Sequence, residues 1–257
     1  MFKRELKINF KNFIVWSFVF VALFSLIFAI YPTMIEANRE LIDQILQIFP
    51  EDVLEAFNVT SISSPFGWIT SKGIDFVLLC IGIYASILGG NALYKEKADK
   101  TIEYLSSKPV KRSEIMIKKV LADLILITAL DLLVSLTCFV GLYLNNDVNI
   151  SETFIVTLTP LLSFFVLYSL SLLISVLYKA TPTLTVGLPF LFYAFLAFSR
   201  MTDGLSFLRY LTPFSLSDTK VIVDNGYLPA VYYIIGLSLF TLLLGTSLYS
   251  YNKKELV

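Results

Sequence analysis

The chain has 257 residues, of which 56% are hydrophobic, 16% are charged and none is histidine, and its formal net charge is zero. A soluble protein carries about 25% charged residues, so most of this chain is built for a solvent other than water, and zero net charge gives no bulk affinity for nucleic acid. The lack of histidine excludes a Ser-His or Cys-His nucleophile pair and a His-ligated zinc or haem site, while Cys80 and Cys138, the two cysteines, both sit inside apolar runs, which excludes a disulfide framework.

A hydrocarbon core about 30 Å thick needs roughly 20 apolar residues in a helix. Helices are the natural element because lipid offers no partner to a free backbone N–H or C=O. Six runs qualify: 13–30, 73–93, 120–144, 154–178, 182–199 and 229–250. They predict an all-α integral membrane protein with six transmembrane helices in a single domain over residues 1–257. The first run is followed by no small-residue cleavage pattern after Tyr31 and Pro32, so it reads as a span and not as a cleaved leader.

Before that span, residues 1–12 place Phe2, Leu6, Phe10 and Phe13 on one helical stripe and Lys3, Lys7 and Lys11 on another. This is the pattern of an amphipathic helix lying in the cytoplasmic interface, with membrane lipids as its partner. An ordinary basic flank to the first span is the plainer reading. The segment 31–72 carries Ile35, Leu41, Ile42, Ile45, Leu46 and Phe49 at helical spacing among acidic residues. One or two short helices on the outer membrane face are expected there, then a turn at 63–67. Asp75 opens the second span, where a carboxylate complements the positive end of a helix.

The stretch 94–119 follows the second span. Its helix-forming first half stops at Lys108-Pro109, and Ser113 can cap a new helix into the third span. The product is a short charged helix at the membrane surface, joined to spans two and three, or else a solvated basic loop. If the N-terminus is inside, fifteen Lys and Arg face the cytoplasm and five face out, which fixes both termini as cytoplasmic. Gly187 and Pro189 interrupt the fifth run and mark a candidate hinge or a tolerated kink. The segment 204–228, between spans five and six, is too short to cross and contains Pro213. It reads as short outer-side helices or a re-entrant segment.

The loop after the second span resembles the coupling-helix region of ABC-2-type transporter permeases, bacterial exporters whose ATPase is a separate chain. The residues that carry the resemblance are Glu96, then Thr101, Glu103 and Leu105, then Ser106-Ser107, Pro109-Val110, Arg112-Ser113-Glu114-Ile115 and Lys118 or Lys119. The amphipathic N-terminus, the six spans and the short segment before the last span agree with that family over nearly the whole chain, whereas the outer segment 31–72 is longer than in its simplest members. The resemblance implies that Glu96, Asp99, Thr101, Glu103, Tyr104 and Leu105 dock on an ATPase, in two copies, that carries the ATP and magnesium. It also implies a second permease chain, as homodimer or heterodimer, and a place in the bacterial cell membrane. Cargo in that family includes amphipathic and antimicrobial peptides, ions, lipids and drugs, and the small aromatic-rich bundle leans toward peptides. No Gly-x-x-x-x-Gly-Lys-Ser/Thr motif occurs, so the chain has no cofactor of its own by that route and is not expected to be an enzyme.

Within the spans, Asp131 sits near the middle of the third, with Asp123 two turns before it and Ser135 one turn after. A carboxylate at that depth is costly unless it faces a polar cavity or a partner. The three residues read as a hydrophilic stripe along a translocation path, or as structural groups, with Asp123 paired to Lys119 at i,i−4 and Asp131 bonded to hydroxyls. Gly82, Ser86 and Gly90 give the second span a small-residue face for helix packing. Two other functions compete with transport. A non-transporting membrane anchor or assembly subunit would use the same loop for binding only. An intramembrane aspartyl enzyme would need Asp123 and Asp131 to share a proton, which eight residues at about 1.5 Å each forbids on one helix.

Overall fold

A computed structural model describes residues 2–34, 38, 40–41, 44, 47–50, 53–54, 64–98, 112–147, 149–178, 182–201, 203–217, 219, 222 and 227–253. The described residues form helices and turns, and six helices are long and apolar enough to cross a membrane. The long helices are α1 (Phe2–Met34), α3 (Ile74–Ala98), α4 (Arg112–Leu144), α6 (Pro160–Leu177), α7 (Pro182–Met201) and α8 (Ala230–Lys253). Short α2 (Pro65–Trp68) leads into α3, and α5 (Ile150–Leu158) leads into α6.

The spans follow the apolar runs, but their ends move outward for local reasons. The expected turn at 63–67 is instead a helix start. The Ser64 hydroxyl accepts from the Gly67 N–H at 2.9 Å, and Pro65 occupies the first turn, where its missing N–H costs nothing. Asp147 adds a carboxylate oxygen at 2.8 Å from the Phe66 N–H, tying this start to the end of α4. A π-helical turn, Ile69–Gly73, then joins α2 to α3. The second span therefore begins at Pro65, and Asp75, although in the first turn of α3, is preceded by ten residues of continuous helix.

At its far end α4 stops at Asn145-Asn146-Asp147. Asn146 takes φ 55°, a left-handed conformation that asparagine tolerates, and the Asp147 N–H closes back on the Leu142 carbonyl at 3.1 Å. At Thr159-Pro160 the fourth span loses a rung of its hydrogen-bond ladder, because proline has no N–H, while Thr159 keeps helical dihedrals.

Residues 2–12 are helical, as their pattern predicts, but they run without a break into the first span. At 33 residues α1 is about 50 Å long, well beyond the hydrocarbon thickness of about 30 Å. Its inward face in these first turns carries Glu5 and Asn9, while Phe10 is exposed at 51%. The aromatic stripe thus does not choose the docking face; polar partners on α4 do.

The bundle centres on α3 against α6, with α8 on the far side of α6, α7 against α3, and α1 laid along α4. Burial follows that order: 72% of the most apolar window of the second span is buried and only 11% of that of the last. Apolar side chains on the outer faces of α1, α7 and α8 are left for lipid. The core holds Phe24, Ile81, Tyr84, Ile127, Phe164, Tyr168 and Phe214, each under 2% exposed. Contacts between helices set the directions. Asn9–Asp123 and Phe28–Gly141 make α1 parallel to α4, whereas Asp123–Tyr168 and Ser135–Thr157 make α5 and α6 antiparallel to α4. Phe2, Lys253 and the ends of α3 and α4 that flank residues 99–111 consequently share one end of the bundle.

Between α6 and α8 the chain forms two 3-10 helices, Asp203–Leu211 and Pro213–Ser217. The second is buried against α6, where the Ser163 hydroxyl donates to the Pro213 carbonyl at 2.9 Å. The short helices expected between the last two spans are therefore present. Of the expected helices in 31–72 before the second span, most residues lie outside the described ones.

Candidate functional site

Beneath residues 99–111 lies a buried polar cluster drawn from four helices. Lys119, on the second turn of α4, is 5% exposed. Its ammonium donates to the Ala92 carbonyl of α3 at 2.8 Å and lies 3.6 Å from a Glu5 carboxylate oxygen of α1. One turn further along α4, Asp123 accepts from the Asn9 amide of α1 at 2.8 Å and from the Tyr168 hydroxyl of α6 at 3.1 Å. Tyr84 of α3 completes the floor, its ring 5.9 Å from that of Trp16 on α1. The arithmetic of α1 explains the geometry: Glu5 and Asn9 are four apart, as are Lys119 and Asp123, so two parallel helices present matched polar rungs. Lys119 at i,i−4 was the expected companion of Asp123. The structure turns the Lys119 ammonium toward Ala92 and Glu5 and gives Asp123 hydrogen bonds from two other helices.

Asp131 sits two turns deeper on α4 and is 1% exposed. Neither of its carboxylate oxygens has a hydrogen-bond partner among the described residues. Ser135, one turn on, is paired with Thr157 of α5 at 2.5 Å. Asp123, Asp131 and Ser135 thus stay on one buried face of α4, at three levels. The outer two each bond across to a neighbouring helix, and the middle one is left without a partner. Asp123 and Asp131 therefore face different surroundings.

The small residues of α3 lie inside the chain. Gly82 lets Phe214 and Leu167 close in, where an added Cβ would stand 3.1 Å from the Phe214 ring. A Cβ at Gly90 would overlap Thr185 of α7, and Ser86 between them is fully buried. At Gly89 the obstacle is backbone: a Cβ would run into the Tyr168 carbonyl oxygen of α6. Gly187 has open space around it and Pro189 is buried, both within an unbroken α7. At the opposite end of the bundle from Lys119, Asp75 holds Arg200 of α7 at 3.3 Å and the Tyr193 hydroxyl at 3.5 Å. A groove of about 490 Å³ lies between α1 and α4 at that same end, lined by Ser25, Phe28, Pro32, Val140, Gly141 and Asn145 among others.

Of the loop residues, Glu96 falls in the last turn of α3, and Asp99, Thr101, Glu103, Tyr104 and Leu105 lie outside the described residues. What brackets them is described: a lysine at the start of α4 bonded to a carbonyl near the end of α3, with α1 and α6 locked to the same point. A family described as ABC-2 family transporter protein matches residues 2–256. The chain belongs to the ABC-2 transporter family. Comparison with curated proteins and with solved structures gave no match. As an ABC-2 permease, the chain is a multi-pass membrane component of an ABC transporter, a class that works with an ATPase subunit.

Several residues of this permease escaped the sequence. Glu5 and Asn9 carried a signal, since polar residues four apart interrupt an otherwise apolar-and-basic pattern. Tyr168, Arg200 and Gly89 carried none, because each matters through a helix distant in sequence.

Proposed function

We propose that this ABC-2 permease forms the translocation path of an ATP-driven exporter and takes its energy from a separate ATPase that docks on residues 94–119. The observation that carries the reading is the polar cluster at the root of that segment. A push on the segment reaches Ala92 and Lys119 together, and through Glu5, Asn9, Asp123 and Tyr168 it reaches α1 and α6. A loop that only bound a partner would need no such tie between four helices.

In this reading Glu96, Asp99, Thr101, Glu103, Tyr104 and Leu105 form the coupling helix. Two ATPase copies bear the ATP and magnesium, and a second permease chain completes the core. Both termini are cytoplasmic in a bacterial cell membrane, by the fifteen-to-five distribution of basic residues, and the basic first turns of α1 meet anionic headgroups. Asp131 lies along the path. The aromatic-rich bundle with no large outer domain suits amphipathic or antimicrobial peptides as cargo.

The test is a mild-detergent purification of the tagged protein from its host, wild type against a Glu103→Arg, Leu105→Asp double variant. Bound proteins are identified by mass spectrometry, and ATP turnover is measured in the eluate. An ATPase retained by the wild type and lost from an equally well-folded variant is the expected result. No ATPase with either form would refute the coupling and leave an anchoring subunit as the better account.

A further inference from the structure

Asp131 is the buried charge-bearing group that the cluster at Lys119 does not use. Both of its oxygens lack a partner at 1% exposure, and in hydrocarbon an unmatched carboxylate is among the costliest groups a helix can carry. Among the described residues no cation pairs with it. Lys119 is twelve residues away along α4, about 18 Å, and is engaged at Ala92 and Glu5. Arg200 is held by Asp75 at the far end of the bundle.

The surroundings at that depth are irregular in a way that apolar packing does not require. Asp131 lies between the rungs Asp123–Tyr168 and Ser135–Thr157, opposite the stretch of α5 and α6 that contains Thr159-Pro160. Pro160 supplies no N–H to the backbone ladder at that depth, although the helix itself continues. On α1, the rungs Asn9–Asp123 and Phe28–Gly141 put Ser17 at the same depth, and its buried hydroxyl also lacks a partner among the described residues. Ser135 and Thr157 add a pair of hydroxyls one turn away.

We infer that Asp131 is a cargo subsite for a lipophilic organic cation, paired with the carboxylate, with the Ser17 and Ser135–Thr157 hydroxyls as its neutral polar surroundings. This rests on the transport reading and deepens it by naming the charge class of the cargo. The desolvated setting makes a carboxylate–cation pair strong while leaving a neutral or anionic solute unrewarded. In the conformation described here the site is closed over, so the cation enters when the bundle opens.

Binding is tested on the permease alone in nanodiscs of zwitterionic lipid, with no ATPase present, so a failure here is separable from a failure of the coupling. The probe is radiolabelled tetraphenylphosphonium, with tetraphenylborate and neutral tetraphenylsilane as controls, against wild type, Asp131→Asn and Asp131→Glu. Asp131→Asn is expected to weaken tetraphenylphosphonium binding at least about tenfold, a change of one decade in Kd, and Asp131→Glu to retain most of it. In parallel, dicyclohexylcarbodiimide, which reaches carboxyls from the lipid, is expected to modify Asp131 by peptide mass mapping, and tetraphenylphosphonium but not tetraphenylsilane to protect it. The inference is overturned if Asp131→Asn binds the cation as the wild type does. It is equally overturned if Asp131 is never modified, or if modification is indifferent to the cation, which would mark a carboxyl that exchanges protons only.

Discussion

Replacing Lys119 by methionine removes the cation at the centre of the polar cluster while keeping the length of the side chain. The Glu5 carboxylate, with 13% of its side chain exposed, then loses the ammonium 3.6 Å away, and the Ala92 carbonyl loses a 2.8 Å donor. Stranding one member of a buried pair costs about 3–5 kcal/mol. The long separation and the residual exposure of Glu5 place this pair at the low end, and the apolar body of methionine restores the packing of the lysine stem. The expected loss is about 3 kcal/mol. Adding Glu5→Gln should recover more than half of it, since a neutral amide has far less hydration to give up. Unfolding in mixed micelles by added dodecyl sulfate, followed by tryptophan fluorescence, reports the change directly, because Trp16 packs on Tyr84 beside the cluster. The reasoning is refuted if Lys119→Met stays within about 0.5 kcal/mol of wild type, the range of an uninvolved surface position. It is refuted as well if the double variant is as unstable as the two single changes added together.

Two further expectations concern packing and orientation. Gly89→Leu should abolish recovery of monodisperse protein by gel filtration, because the added Cβ meets the backbone carbonyl of Tyr168 and not a side chain that can turn away. Gly245→Leu, with open space around it, should purify as wild type does. For orientation, a cysteine at exposed Tyr227 should react with a membrane-impermeant maleimide in intact cells, and one at exposed Lys253 only after lysis. The opposite pattern would invert the bundle.

The six spans, their order and the family resemblance were legible in the sequence, because hydrocarbon thickness sets a length of apolar chain and the absence of water forbids interruptions. The places where boundaries shifted follow local chemistry that runs of apolar residues do not record. Ser64-Pro65 starts a helix a full two turns before the apolar run at 73, and α1 carries its helix through a basic segment that hydropathy alone treats as a flank. Asp131 was recognisable as costly from its mid-span position and Asp123 from its i,i−4 lysine as easier to satisfy, yet nothing in the sequence named Asn9 and Tyr168 as the groups that bond Asp123.

What the sequence determined by itself is how each segment meets the membrane. What only the tertiary structure decided is which helix stands opposite which. In water, an apolar stripe marks the buried face of a helix, but in lipid both faces are apolar: Leu130 is fully buried and Leu242 is 62% exposed, although both are leucines in the middle of a span. The inward face is then chosen by the sparse polar and small residues, and their meaning depends on partners far away in the chain. Glu5 and Asn9 face inward because Lys119 and Asp123 wait at the same spacing on α4. Asp131 stands alone because, among the described residues, no other helix brings a partner to its oxygens.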